Sequence, residues 1–427
     1  MRFTTLNEWL TWQESLHPKK IDLGLDRIKR VFDTLQPTTH KPFTVTVTGT
    51  NGKGSCVAYL DHIFRAQGYR VGTYTSPHLI RYNERIQIDG IAASDEVICQ
   101  AFERVDRLRG TTPLSYFEFG TLAALDIFGR ADLDIQVLEV GLGGRLDAVN
   151  IVDPDIALIT SIDIDHTEWL GKTRDEIAYE KAGIFRSQVP AVVGDADPTP
   201  SILRISAEKR VPLSYCGRDF KWVKDESHAR WSWIGQGKIL TDLPYPALEG
   251  EHQLQNASAV LQALHLIEAR VPITPNAIAQ GLQSVQLPGR YQTIPGAVPV
   301  LLDVAHNPHA AISLAAYIRQ KHAHKRHVYA IFSVMRDKDI HGIVSAMKPV
   351  IDYWFFAPLN LSRCATPTQI KETFAECGIG ALDCDSSDFA SAFAKAKQIA
   401  QDDDLLLVFG SFYLVGALLA QESAAVT

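Results

Sequence analysis

Short apolar runs separated by stretches of helical periodicity occupy most of the chain. This pattern predicts strands alternating with helices in a parallel α/β arrangement. Buried strands are expected at 43–48, 71–75, 135–140, 156–160 and 189–193, and helices at 56–67, 94–108, 117–128, 174–182 and 254–269. The character changes between 213 and 246. There Trp222, Trp231 and Trp233 stand among glycines and alternating polar positions, which predicts a small antiparallel excursion.

Pro288, Gly289, Pro295 and Gly296 then punctuate the chain and mark a domain boundary. After them the alternation restarts, with strands expected at 298–304, 328–332, 351–356 and 405–409 and helices at 309–321, 367–377 and 388–400. The reading is two α/β domains. Residues 1–290 form the larger doubly wound domain, and residues 291–427 a smaller one.

Composition narrows the function classes. The 427 residues are 46% hydrophobic and 21% charged, as in an ordinary globular protein, and the net charge is −7. No basic stripe interleaves with aromatics, so a nucleic-acid partner is not expected; the basic run at 321–326 reads as a solvated helix end. The six cysteines are scattered without a C-x-x-C, against a disulfide framework or a zinc site. Residues 1–20 are amphipathic and carry Glu8 and Glu14, unlike a secretion signal. No apolar stretch approaches the roughly 20 residues that span a bilayer. A cytoplasmic protein without a membrane partner is expected.

The chemistry centres on Val45-Thr46-Val47-Thr48-Gly49-Thr50-Asn51-Gly52-Lys53-Gly54-Ser55. A β-branched strand enters a glycine turn with one lysine and then a helix, which makes a phosphate cradle from backbone N–H groups and the helix dipole. The loop is not the standard Walker A. Val47 stands at the first glycine position, and Gly54 follows Lys53 where a metal-binding hydroxyl is usual. Metal ligands must therefore come from elsewhere. Ser76, Glu139 and His166 each lie at or just beyond the carboxyl end of an expected strand, where open α/β sheets bind ligands. Together they could share one Mg²⁺ or Mn²⁺. Ser76-Pro77 also reads as a plain turn, and His166 as a surface histidine paired with Asp163 or Asp165. Glu139 is harder to place without a partner, because the run it ends is so apolar.

These segments occur in order with Ser76-Pro77-His78, Leu138-Glu139-Val140-Gly141-Leu142-Gly143-Gly144-Arg145-Leu146-Asp147 and Asp165-His166. Glu180-Lys181-Ala182-Gly183-Ile184-Phe185-Arg186, Gln255-Asn256-Ala257, Pro288-Gly289-Arg290, Asp303-Val304-Ala305-His306-Asn307-Pro308 and Gly410-Ser411-Phe412 follow. The set resembles the folylpolyglutamate synthase/dihydrofolate synthase family of the Mur ligase superfamily over nearly the whole chain. The resemblance implies an ATP-dependent ligase of Mur ligase architecture, α/β, with a P-loop-type doubly wound ATPase domain in 1–290 and a smaller Rossmann-like glutamate-ligase domain in 291–427. Such an enzyme phosphorylates a pteroate or folate carboxylate and lets the amine of L-glutamate displace the phosphate.

The resemblance also assigns roles. Thr50, Asn51, Gly52, Lys53, Gly54 and Ser55 hold the ATP phosphates, with Asn256, Arg290 and Asp303 completing the nucleotide contacts. Ser76, Glu139 and His166 take metal positions. Lys181 matches a lysine with a carboxylated ε-amine beside a second Mg²⁺, and a monovalent cation is a further candidate. Lys53, Lys181 and His306 are the catalytic candidates. Read locally, Lys181 is a solvated charge, Arg290 a linker residue and the Asn307-Pro308 region a helix-capping turn. Cys56 reads as a packed helix residue. Cys364 departs from the family's glutamate-side loop, which leaves the glutamate contacts there in doubt.

Members that also use dihydropteroate resemble this chain at Lys20-Ile21-Asp22-Leu23-Gly24-Leu25-Asp26-Arg27 and at Ser115-Tyr116-Phe117-Glu118-Phe119-Gly120-Thr121. This implies a pterin site of Asp22, Leu23, Ser115, Tyr116, Phe117 and Glu118, joined by Leu146, Asp147 and Ala148. Core packing at a helix start is the local alternative for Tyr116 and Phe117. The expected substrates are dihydropteroate, tetrahydrofolate with its polyglutamates, and L-glutamate, and the expected state is a monomer. The rivals are a monofunctional folylpolyglutamate synthase and a muramyl-peptide ligase.

Overall fold

The computed structural model describes residues 2–17, 22–35, 41–225, 227–361 and 363–426. The chain packs as two compact units, one of Met1–Ala247 with Gln253–Gln286, the other of Leu248–His252 with Leu287–Thr427.

The first unit is built on β1 (Phe43–Thr48), β2 (Val71–Tyr74), β3 (Ile86–Ile88), β4 (Ile91–Ala92), β5 (Ile135–Glu139), β6 (Ile156–Ile159), β7 (Ala191–Val193) and β8 (Leu213–Tyr215). They form one sheet in the order β4-β3-β2-β5-β1-β6-β7-β8, parallel from β2 to β8. Burial on both faces explains why β1 and β5 read as near-continuous apolar runs rather than alternating ones. β3 and β4 were not expected. They form an antiparallel hairpin whose turn carries Asp89 (φ +52°) and Gly90 (φ +76°), an Asp-Gly signal masked by its short flanks. β7 starts two residues later than expected, after Pro190, which has no N–H to donate to a ladder.

The expected antiparallel excursion is present as β9 (Phe220–Asp225), β10 (Arg230–Gly235) and β11 (Lys238–Pro244). Trp231 and Trp233 are buried in it, and the Trp231 indole donates to Pro244 O at 2.8 Å.

Register aligns the carboxyl ends that carry chemistry. Val47 pairs with Glu139, Thr48 with Ile159, and Tyr74 with Leu138. The glycine loop after β1, the Ser76 turn after β2, Glu139 and the segment after β6 therefore share one sheet edge.

Helices Leu6–Leu16 and Asp26–Leu35 pack on helices Asp95–Arg109 and Tyr116–Arg130. Trp9 is buried there against Phe102 and Phe119. Ser94 and Ser115 cap the latter two helices through their hydroxyls, which sets their starts.

In the second unit, β12 (Gln292–Ile294), β13 (Val300–Asp303), β14 (Val328–Phe332), β15 (Tyr353–Phe356), β16 (Leu382–Asp383) and β17 (Leu405–Phe409) form a sheet in the order β12-β13-β17-β14-β15-β16. It is parallel except for β12, an unexpected antiparallel edge. Helices Pro308–Lys321, Pro367–Glu376 and Phe389–Ile399 follow the expected ones closely, whereas Ile340–Met347 and Phe412–Val426 were not foreseen.

Candidate active site

The glycine loop at 49–54 is held from both sides. A Cβ on Gly49 would lie 1.8 Å from Thr160 Oγ1, and one on Gly52 (φ +87°) 2.5 Å from Asn256 Oδ1. Only glycine permits both approaches. Thr50 Oγ1 donates to Asp163 O (3.0 Å) and accepts from Asp163 N (3.0 Å), while Thr160 Oγ1 donates to Asn51 O (2.6 Å). Helix Lys53–Gln67 begins at the lysine, whose Nζ folds back to Gly49 O (3.0 Å) and Thr50 O (3.1 Å).

Asn256 thus reaches the glycine loop, and a residue overlooked in the sequence positions it. The buried Gln253 accepts from Asn256 Nδ2 (3.2 Å) and Tyr59 OH (3.3 Å), and its own amide donates to Ser55 Oγ (3.2 Å). Its signal was only its place one helical turn before Asn256. Cys56 is fully buried, and desolvation pushes its thiol far up, so it packs rather than reacts.

At the same edge Ser76 N–H donates to Glu139 Oε2 at 3.1 Å, and Glu139 is only 4% exposed. The structure brings these two predicted metal residues together. His166 adopts a left-handed conformation (φ +51°) at the start of helix Thr167–Leu170, where its N–H is taken by Asp165 Oδ1 at 2.7 Å. A non-glycine residue held there is an uncommon backbone state that tends to mark functional sites. Its ring Nε2 is 4.0 Å from Asp165 Oδ2. Among the described residues no three His, Cys, Asp or Glu side chains cluster as a metal site. The expected set contains only two of those types; its hydroxyl and carboxylate suit a hard divalent cation, and its imidazole is the softer ligand of the three.

Lys181 is 3% exposed, which overturns its reading as a solvated charge. Burial lowers its pKa well below the usual lysine value; nearby Lys53 acts the same way, opposed by Asp165 and Asp147. The Asp147 carboxyl is itself raised to about 7 by burial, against the N–H groups of Leu142, Val149 and Gly141 that it accepts from. It staples the Gly141–Gly144 loop from within.

The three segments expected to bind a pterin converge. Arg27 Nε donates to Glu118 Oε2 (2.9 Å), and its guanidinium also meets Asp22. Glu118 accepts from Ser115 N (2.7 Å) in a capping box, and Gly24 N donates to Leu146 O (3.3 Å). His17 Nε2 stands 3.5 Å from Asp22 Oδ2. Phe117 lies against Gly141, where a Cβ would come within 2.6 Å of its ring, and Tyr74 is 5.8 Å from it. Tyr116 and Phe117 also pack against the core, as their local alternative had it. Lys20 and Ile21 lie outside the described residues.

The second unit has its own cluster. Asp303 ends β13, buried, and accepts from Tyr291 N (3.1 Å) and Ala305 N (2.7 Å). Burial raises its pKa to about 6, opposed by Arg290. The Arg290 guanidinium lies 5.1 Å from the centre of the Phe412 ring, and the His306 ring is 5.8 Å away from it. His306 Nδ1 donates to Val304 O (2.8 Å) when it carries the proton. Asn307 caps helix Pro308–Lys321, as its local reading had it. Cys364 is buried, with its sulfur 3.5 Å from Ser333 Oγ.

A glycine loop closed by one lysine, with a buried carboxylate beside it, on a sheet followed by a second Rossmann-like unit, defines the class of the Mur ligases. Residues 47–264 match the Mur ligase middle domain, and residues 289–412 match the Mur ligase, glutamate ligase domain. The dihydrofolate synthase/folylpolyglutamate synthase of Escherichia coli (strain K12) is 41% identical over 414 residues, spanning 97% of this chain and 94% of its own. The structure of E. coli FolC in complex with DHPP and ADP superposes with a TM-score of 0.92 at 39% identity, covering 99% of each chain. A bifunctional folylpolyglutamate synthase/dihydrofolate synthase with Mn, AMPPNP and L-glutamate bound gives 0.90 at 41% identity, covering 98% of each. The chain belongs to the dihydrofolate synthase/folylpolyglutamate synthase family and is an ATP-dependent ligase. Among the described residues no helix is long and apolar enough to cross a membrane.

Proposed function

We propose that this protein joins L-glutamate to dihydropteroate, making dihydrofolate, and also to tetrahydrofolate and its polyglutamates. The observation that carries the reading is that 22–27 meets 115–118 through the Arg27–Glu118 pair and 146–148 through the Gly24 N–H on Leu146 O. A pterin offers a donor-rich edge to Asp22 and a flat face to Phe117 or Tyr116.

A carboxylate is a poor electrophile until phosphorylation provides a leaving group. The residues must therefore hold a carboxylate and a phosphate chain against their mutual repulsion. Lys53 and the loop N–H groups do this for the phosphates. Ser76, Glu139 and His166 would hold Mg²⁺, which when bound neutralises phosphate charge. Lys181, in carboxylated form, would hold a second ion, with a monovalent cation as a further candidate. Asn256, Arg290 and Asp303 are the proposed nucleotide contacts, and His306 is the proposed catalytic histidine of the glutamate-ligase part. The functional division we propose assigns ATP and pterin to 1–290 and glutamate to 291–427, in a cytoplasmic monomer.

The test is phosphate release from ATP with Mg²⁺ and L-glutamate, supplying dihydropteroate, tetrahydrofolate or a UDP-muramyl peptide in turn. Release with both pterins supports the proposal. Release with tetrahydrofolate alone would leave a monofunctional synthase, and release with the muramyl peptide alone would overturn both.

A further inference from the structure

Arg85 closes the short 3₁₀ turn Tyr82–Arg85 and is only 9% exposed. Partly buried arginines of this unit meet carboxylates: Arg27 reaches Glu118 at 2.9 Å, Arg104 reaches Asp126 at 2.5 Å, and Arg109 reaches Asp106 at 2.7 Å. Arg85 differs. Its Nε donates to His78 Nδ1 at 2.9 Å, a neutral acceptor lone pair, and its guanidinium carbon lies 5.3 Å and 5.8 Å from the Tyr82 and Tyr116 ring centres. Among the described residues no carboxylate comes within ion-pair reach of it, and Nη1 and Nη2 have no protein acceptor. Neither nitrogen is sealed from solvent. The neighbouring acid, Glu84, is turned away and accepts from the N–H groups of Leu79, Ile80 and Arg81 at 2.7, 2.8 and 2.6 Å.

A guanidinium this enclosed, with the Nη side of its fork met only by solvent, gains a charge-assisted pair from an anion that displaces that water. Its fork is held by two rings and one hydrogen bond, a geometry that suits bidentate capture of a carboxylate. Its position limits which one. On one side Thr75 N donates to Arg85 O at 2.9 Å, next to the Ser76 that meets Glu139; on the other side stands Tyr116 of the pterin segment. We infer that Arg85 is a substrate-clamping residue whose guanidinium grips a carboxylate of the pteroyl acceptor. This inference rests on the function proposed above.

The experiment compares wild type with Arg85→Lys and Arg85→Gln, reading kcat and KM for dihydropteroate, tetrahydrofolate and ATP. The thermal shift induced by dihydropteroate and by AMPPNP with Mg²⁺ is read alongside. Losing a charge-assisted pair should raise the acceptor KM about 10- to 100-fold in the lysine variant. The ATP KM and the AMPPNP shift should stay unchanged, while the thermal shift induced by dihydropteroate should shrink only where its KM also rises. A rise for both acceptors assigns the clamp to the reacting carboxylate. A rise for tetrahydrofolate alone assigns it to the non-reacting α-carboxylate, which dihydropteroate lacks. In either case a pteroate analogue without the carboxylate should inhibit wild type and variant equally. An unchanged acceptor KM in Arg85→Lys, a rise confined to dihydropteroate, or a parallel rise for ATP would overturn the clamp. Wild type that fails to turn over any pterin would instead refute the underlying function.

Discussion

Arg27 and Glu118, far apart in sequence, meet at 2.9 Å and tie the N-terminal segment to the start of helix Tyr116–Arg130. Asp22 is held by the same guanidinium, so its carboxylate is fixed in place before any substrate arrives. Asp22→Ala should therefore impair dihydropteroate use more than tetrahydrofolate use, since the folate acceptor has further anchoring groups. Steady-state assays with both acceptors check this, and equal loss of the two activities would sink it.

Lys53 curls over the loop carbonyls of Gly49 and Thr50 and stands close enough to Lys181 and Asp147 to shift both. Lys53→Ala should abolish phosphate release with every acceptor. Near-normal turnover in that assay would mean that this loop is not the phosphate site.

Gly52 has φ +87°, and a Cβ there would sit 2.5 Å from Asn256 Oδ1. Gly52→Ala should push Asn256 off the loop and cost about 1–3 kcal/mol in strain. Calorimetric titration with AMPPNP and Mg²⁺ should show weakened binding, while the acceptor alone binds as before.

The buried Lys181 amine, its pKa well lowered, holds a larger neutral fraction than a surface lysine at the same pH. A neutral amine can attack CO₂, forming an N–C bond and releasing one proton to water. With ¹³C-bicarbonate, NMR should show a carbamate carbon that is missing in Lys181→Arg. The same spectrum in wild type and variant would refute carboxylation at this position.

Asp303 has a carboxyl raised from 3.8 to about 6 in the folded protein by burial. Between those values the folded state binds more protons than the unfolded one, so this group's contribution to stability falls as pH rises through that window. The effect is on the order of 3 kcal/mol at neutral pH. In ligand-free protein, denaturant titrations should show Asp303→Asn gaining on wild type from pH 4 to pH 6, with the difference level above. A difference independent of pH would remove the burial argument.

Much of the site was legible in the sequence because it is local. The strand 43–48, the glycine turn and Lys53 are contiguous, and backbone geometry dictates what they make. Glu139 was legible for another reason: a carboxylate ending an apolar strand needs a purpose. Lys181 was misread locally because the Glu180–Lys181 pair looks like any solvated helix end, and only packing encloses it. Gln253 carried no signal strong enough to stand out among ordinary helix glutamines, although the candidate site residues Ser55 and Asn256 both hydrogen-bond to it. The Asp89-Gly90 hairpin was missed because two- and three-residue strands leave too few alternating positions to read.

By itself the sequence determined the α/β class, the phosphate loop and the residues set at strand ends. Those follow from periodicity, turn chemistry and the cost of burying charge, all properties of neighbours along the chain. Tertiary structure decided which side chains meet. The Arg27–Glu118 pair, the contact of Asn256 with Gly52 and the enclosure of Arg85 without a carboxylate depend on strand order and helix packing. Those long-range contacts are fixed only when register and core burial are satisfied together.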